Sequence, residues 1–241
     1  MKIQFMLRNI LLGSYFWILL ILTLLVYIPY LLLQLISRRF TFYYLHFFIR
    51  LWARHALHVA GVKLVVRGKE NIPRSGRVAI VSNHQSYFDI PVLMAVMPFL
   101  IGFVAKKELG RIPLINLWLG AMGCVLIDRK QPAQSLEKVR QRIEKARQGY
   151  PMVIFPEGTR SRGANLGRFK TGSLQMLFSS DLEILPVSIS GTYRLLEEEN
   201  SLKKGTVQVT IHPPVDEHKK GEKAPRELAS QLKETIRSGL A

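Results

Sequence analysis

An α/β domain with a mostly parallel central sheet, flanked by helices and preceded by a membrane-associated helical segment, is what this sequence predicts. Two observations carry the prediction. From Val62 onward, short β-branched runs alternate with segments of helical periodicity. Before them, Ile10 to Ser37 contains no charged side chain. Alternation of strands and helices is the mark of a layered sheet whose parallel strands are joined by crossover helices. An uncharged run of that length exceeds what a core helix needs and suits the hydrocarbon layer of a bilayer. The 241 residues allow one domain with a real core plus an appendage, read as 1–60 and 61–241.

The N-terminal run is interrupted by Pro29. A straight helix from Ile10 to Ile28 would cover about 28 Å at ~1.5 Å per residue, close to the hydrocarbon thickness. One span followed by a kink and a broken helical pair lying in one leaflet both satisfy this pattern. A secretory signal is disfavoured, because the run is too long and no small-x-small cleavage site follows. From Phe40 to Leu57, Tyr44, Phe47, Phe48 and Leu51 share a helical face beside a stripe of Arg50 and Arg54. That pattern fits an interfacial helix with snorkelling arginines, or alternatively a core helix of the following domain. If the first segment spans, the heavier positive flank on its C-terminal side puts the rest of the chain in the cytoplasm, on the inner face of the cell membrane.

In the second region VKLVVRG, RVAIVSNH, CVLIDR, PMVIFPEG, LEILPVSIS and TVQVTIHPPV read as strands. Helices are expected at Pro91–Phe99, Leu114–Met122, Gln134–Gln148 and Thr171–Ser179. In the third of these, Leu136, Val139, Ile143 and Ala146 form one face and Gly149 marks the end. Residues 217–226 read as a charged surface loop before a last helix, Glu227–Ser238.

Charge narrows the partner. Lys and Arg number 34 against 17 Asp and Glu, a net +17, so a polyanionic surface is expected. No acidic residue precedes Glu70, and Lys2, Arg8, Arg38, Arg39, Arg50 and Arg54 border apolar runs. Basic residues at the margins of apolar segments match a lipid headgroup layer rather than a nucleic-acid groove. Membrane lipid is therefore the expected partner, and nucleic acid is not. The single cysteine, Cys124, excludes an intrachain disulfide and reads as a small core residue. The six histidines lack ligand-spaced partners, so no metal cluster is apparent.

The sharpest constellation is Asn83-His84-Gln85-Ser86-Tyr87-Phe88-Asp89, directly after the buried-strand pattern VAIVS. A neutral histidine accepts protons near physiological pH, and a carboxylate can fix its tautomer and stabilise the imidazolium that forms. On one continuous helix a five-residue separation would place the two about 140° apart. They meet only if His84 lies in a loop and Asp89 in the first turn of the next helix. Ser86-x-x-Asp89 equally reads as a capping box. No nucleophile stands beside the pair, so direct attack by a substrate hydroxyl is the simpler scheme.

A second cluster, Phe155-Pro156-Glu157-Gly158-Thr159-Arg160-Ser161-Arg162, also follows a strand. Gly158 permits close backbone approach to a ligand. Arg160 and Arg162 suit phosphate oxygens, and Glu157 suits hydroxyls or the orientation of an arginine. Ile127-Asp128-Arg129 ends another strand and adds an arginine. Lys106-Lys107-Glu108-Leu109, taken alone, reads as a solvated helix start.

These four blocks, in this order, resemble the glycerolipid acyltransferase family, specifically the bacterial 1-acyl-sn-glycerol-3-phosphate acyltransferases. NHQSYFD is similar to the family's N-H-x4-D block, KKELGRIP with VLIDR to its second region, FPEGTRSR to its third and LPVSI to its fourth. The resemblance covers about residues 62 to 215. Leu126 departs from it, standing where a phenylalanine is expected. The resemblance implies that His84 deprotonates the sn-2 hydroxyl of lysophosphatidic acid while Asp89 holds the ring. Acyl-CoA or acyl carrier protein would be the donor, and the implied mechanism requires no metal and no bound cofactor. Arg129, Glu157, Gly158, Thr159, Arg160 and Lys107 would bind the glycerol phosphate, and Pro186 would shape the donor side. Another lysolipid acceptor, such as a lyso-ornithine lipid or lysophosphatidylglycerol, or a non-catalytic lipid-binding role, would leave much of the pattern intact.

Overall fold

The computed structural model describes residues 2–128, 130–220 and 223–240. Its N-terminal helices are α1 (Lys2–Leu22), α2 (Leu24–Ile36) and α3 (Arg38–Val59). The break falls at Thr23 rather than at Pro29, which sits inside α2. Proline tolerates that place at the cost of the bond its missing N–H would have made one turn back. Thr23 Oγ1 donates to Leu20 O at 2.5 Å and accepts from Trp118 Nε1 at 2.8 Å, so the break is tied to the domain. Ser37, extended, reverses the chain and its hydroxyl caps α3 by accepting from Phe40 N.

The result is a helical hairpin. Tyr15 hydrogen-bonds His55, and the Tyr44 hydroxyl donates to Val26 O at 3.0 Å, contacts that fit an antiparallel pair. Helix α3 has two faces with different fates. Thr41, Leu45, Ile49, Ala53 and Leu57 are buried at i, i+4 spacing. Phe40, Phe47 and Leu51 stay more than half exposed. Of the aromatic face expected for an interfacial helix, Phe47 and Leu51 are outward while Tyr44 and Phe48 are half-buried. The core-helix and interfacial readings both describe α3, each on its own face.

The sheet comprises β1 (Val62–Arg67), β2 (Val78–Ser82), β3 (Gly102–Lys106), β4 (Val125–Ile127), β5 (Met152–Ile154), β6 (Glu183–Ser190) and β7 (Gly205–Ile211). Its order is β1-β7-β6-β2-β5-β3-β4. All neighbours are parallel except β6 and β7, so β1 and β7 run against the other five. Strand β3 was not among the expected strands. It is short and starts at a glycine, which reads as a turn in sequence. The glycine is there for space: a Cβ at Gly102 would come within 2.6 Å of the Arg142 guanidinium.

The remaining helices are α4 (Asp89–Val96), α5 (Ile115–Ala121), α6 (Pro132–Arg147), α7 (Thr171–Phe178), α8 (Tyr193–Leu196), α9 (Glu217–Lys220) and α10 (Pro225–Ser238). Short α9 lies in the tract expected to be a loop, and α8 was not expected. The strands' period of two sorts their side chains into two cores. Val78 and Ile80 face a cluster with Leu45, Ile49, Leu93 and Met97 from α3 and α4 and its C-terminal end. Ala79 and Val81 face another with Val139, Ile143, Leu174, Leu177, Leu232 and Ile236 from α6, α7 and α10. Each fully buried aliphatic side chain contributes about 1.5–3 kcal/mol, and together they hold the sheet's C-terminal edge rigid under the loops that follow β2, β5 and β6.

Candidate active site

Strands β6, β2 and β5 are adjacent and parallel, so their C-terminal loops emerge side by side, where α/β sheets usually carry their ligands. The loop after β2 carries His84, and Asp89 opens α4. The geometry that a five-residue spacing requires is thus met: His84 Nδ1 lies 2.7 Å from Asp89 Oδ2. The same oxygen accepts from Gln85 N at 2.7 Å and Ser86 N at 2.9 Å. Oδ1 accepts from Thr192 Oγ1 at 2.5 Å. Asp89 is fully buried, and four donors converge on its two oxygens. A carboxylate at Nδ1 makes that nitrogen the proton-bearing one and leaves Nε2 as the acceptor. His84 stacks on Phe155, centroids 4.2 Å apart, which fixes the ring plane. Its side chain is 17% exposed, enough for a substrate to reach.

The loop after β5 is tied to the His84 loop by strand-like bonds. Ser161 N donates to His84 O at 2.8 Å and Arg162 N to Gln85 O at 3.2 Å. Arg162 adopts a left-handed backbone (φ 59°) to do so, a conformation unfavourable for a side chain with a Cβ. Glu157 braces both loops: Oε1 accepts from His84 N at 2.7 Å and Oε2 from Gly167 N at 2.7 Å. Burial pushes its pKa up, opposed by those two hydrogen bonds. With both oxygens engaged by backbone, Glu157 shapes the site rather than standing open to hydroxyls. Gly158 (φ 67°) turns the chain, and Lys170 Nζ would be 3.0 Å from a Cβ placed there. Thr159 is exposed at the rim. Arg160 Nη1 donates to Glu197 Oε1 at 2.9 Å, and its guanidinium carbon lies 3.4 Å from the centre of the Tyr87 ring.

The other expected residues scatter. Lys107 sits just past β3 and pairs with Asp128, holding that carboxyl below the usual aspartate range. Both lie on the same sheet edge as His84, two strands or more away. Arg129 lies outside the described residues. Pro186 is buried mid-strand in β6, paired with Val81 of β2, and not in a loop. It is tolerated there because the ladder with β7 begins only at Val187. Among the described residues no group of three His, Cys, Asp or Glu side chains is arranged to hold a metal ion.

The acyltransferase family model matches residues 63–190, more than half of the chain and all of this site except the turn after β6 that carries Gly191, Thr192 and Glu197. The chain belongs to the acyltransferase family. A 1-acyl-sn-glycerol-3-phosphate acyltransferase of Borreliella burgdorferi is 34% identical over 184 residues, 75% of this chain and 73% of that protein. One from Pseudomonas aeruginosa is 31% identical over 81% of this chain and 77% of its own. A chloroplastic relative from Arabidopsis thaliana is 32% identical over 70% of this chain and 48% of its own length. The crystal structure of the 1-acyl-sn-glycerophosphate (LPA) acyltransferase PlsC from Thermotoga maritima superposes with a TM-score of 0.84. It is 30% identical and covers 97% of this chain and 95% of that one.

Within this acyltransferase several polar residues complete the site without having been expected from the sequence. Asn83 pairs with the backbone of Ile189 in both directions at 2.8 Å, stapling the loop to β6. Gln85 Oε1 accepts from Gly191 N at 3.1 Å. Thr192 and Glu197 approach from the turn after β6. No local motif marks them, because their partners are far off in the chain, 37 residues away for Arg160 and 103 and 110 for Asp89 and Tyr87. The one available signal was SISGTY, a strand ending in Gly-Thr before a helical turn.

Proposed function

We propose that this acyltransferase moves a fatty acyl group from acyl-CoA or acyl carrier protein to the sn-2 hydroxyl of 1-acylglycerol-3-phosphate, giving phosphatidic acid. The observation that carries the proposal is the buried, four-donor Asp89 carboxylate on Nδ1 of a His84 whose other nitrogen is the acceptor. In this reading His84 Nε2 takes the proton of the acceptor hydroxyl as its oxygen attacks the thioester carbonyl. Asp89 stabilises the imidazolium. Collapse of the tetrahedral intermediate breaks the C–S bond, and the imidazolium returns its proton to the departing sulfur. Arg160, Gly158 and Thr159, with Lys107 past the end of β3 and with Arg129, serve the acceptor's phosphate. Glu157 serves it indirectly by bracing the loop, and Pro186 acts only through the β6 scaffold.

The same proposal places the chain on a membrane. Gly13–Ile36 is long and apolar enough to cross a bilayer, with 12% of its most apolar window buried in the protein. It folds back on α3, which carries Arg50 and Arg54 and packs on α4. A segment fastened to the catalytic domain in this way favours immersion in one leaflet over a crossing that leaves the domain behind. The face would be the cytoplasmic one of the cell membrane, where thioester donors are found.

The test is acceptor-dependent thiol release by purified protein given acyl-CoA and lysophosphatidic acid in detergent, with a His84→Ala control. Release that disappears in the control is the expected result. Release only with another lysolipid would replace the acceptor. No release with any acceptor or either donor class, from protein shown to be folded, would overturn the assignment.

A further inference from the structure

We infer that Glu197 is a positioning residue that fixes Arg160 and the His84 loop relative to one another, so that the base and the phosphate ligand keep one spacing; this rests on the reading of Arg160 as a phosphate ligand. Glu197 follows α8, and its side chain is 4% exposed. A single oxygen, Oε1, accepts from Arg160 Nη1 at 2.9 Å and from Tyr87 N at 3.0 Å. One atom therefore joins the two loops that would hold the acceptor's two ends.

The arrangement around Arg160 is selective about what it leaves available. The Tyr87 ring covers one face of the guanidinium, and Tyr87 itself is 59% exposed at the mouth of the site. Glu197 takes one of the five guanidinium donors. The group remains 16% exposed, and its in-plane edge can meet two oxygens of one phosphate. An arginine without these restraints would lose more rotamer freedom on binding. The second oxygen, Glu197 Oε2, is solvent-excluded and without a hydrogen-bond partner. A buried carboxylate so incompletely satisfied depends on the cation beside it.

The test measures KM separately for lysophosphatidic acid and for acyl-CoA, with competitive inhibition by glycerol 3-phosphate as a probe of the phosphate site alone. Loss of one charge-assisted bond should raise the acceptor KM and the inhibition constant about tenfold in Glu197→Ala. The donor KM should move much less. Glu197→Gln keeps an accepting oxygen and the volume, and should recover most of the acceptor affinity. Glu197→Asp keeps the charge but cannot reach both donors, and should not recover it; this variant decides the matter if the alanine variant fails to fold. Equal shifts in both KM values, or an aspartate variant with wild-type acceptor KM, would overturn the inference. A wild-type protein inactive toward lysophosphatidic acid would instead overturn the substrate reading, and the inference with it.

Discussion

Replacing Asp89 by asparagine separates the charge of this carboxylate from its shape. Oδ2 faces three donors, His84 Nδ1 and the amides of Gln85 and Ser86, whereas Oδ1 faces the Thr192 hydroxyl. The asparagine oxygen will occupy the Oδ2 position, since an amide NH2 there would meet three donors. The amide nitrogen then faces Thr192, whose hydroxyl can rotate to accept. The loop and the tautomer survive, and what disappears is the attraction between carboxylate and forming imidazolium. Two unit charges about 4 Å apart at an effective dielectric of ~20 interact by about 4 kcal/mol, or about a thousandfold in kcat. This is smaller than the ~10⁴-fold loss of a triad in which the tautomer is also wrong. Thiol release under saturating substrates, alongside a thermal melt to establish folding, measures it. An Asp89→Asn protein within tenfold of wild type, beside an inactive His84→Ala, would refute electrostatic support by Asp89. Unfolding of Asp89→Asn would refute the assignment of its amide orientation.

Four further outcomes follow from the same contacts. Thr192→Val removes a donor to Asp89 without changing shape, and kcat should fall about tenfold with about 1–2 kcal/mol of stability; denaturant melts and turnover check both. Because burial lifts the Glu157 pKa above that of an ordinary glutamate, the folded chain binds its proton at higher pH than the unfolded chain does. Its contribution to stability is greatest below the ordinary glutamate pKa and declines as pH rises through the lifted one; Glu157→Gln should lack that component in melts taken across the window. Arg142 is 2% exposed, bonds Tyr150 O and Pro151 O at 2.7 and 2.6 Å, and is pushed down to about 10 by desolvation; Arg142→Ala should cost about 3 kcal/mol by orphaning the Tyr150 carbonyl beside a cavity, while Pro151 O keeps its bond from Gly102 N, read from the denaturation midpoint. Phe40→Glu with Phe47→Glu alters two outward side chains, and vesicle flotation should drop at least tenfold while detergent activity persists.

The parts of this molecule that could be read from its sequence are those in which neighbouring residues cooperate. Val78 to Val81 announce a strand buried on both faces, and His84 with Asp89 need only a loop and one helical turn to meet. The parts that could not be read depend on distant partners. Gly102 reads as a turn until Arg142 is seen to occupy the place of its Cβ, and Pro29 reads as the break until Thr23 is found pinned by Trp118. The bracing by Glu157 is hidden for the same reason, since its two backbone donors, His84 and Gly167, lie on opposite sides of it in sequence. Thr192, Gly191 and Glu197 illustrate the rule most sharply. Parallel pairing of β6 with β2 places the turn after β6 beside the turn after β2, and only then does a threonine face Asp89. Conversely, the strongest local signals are His84 and Asp89, and the polar residues that orient them arrive through topology. A search confined to motifs will therefore find this pair, but not the residues that determine which way either one points.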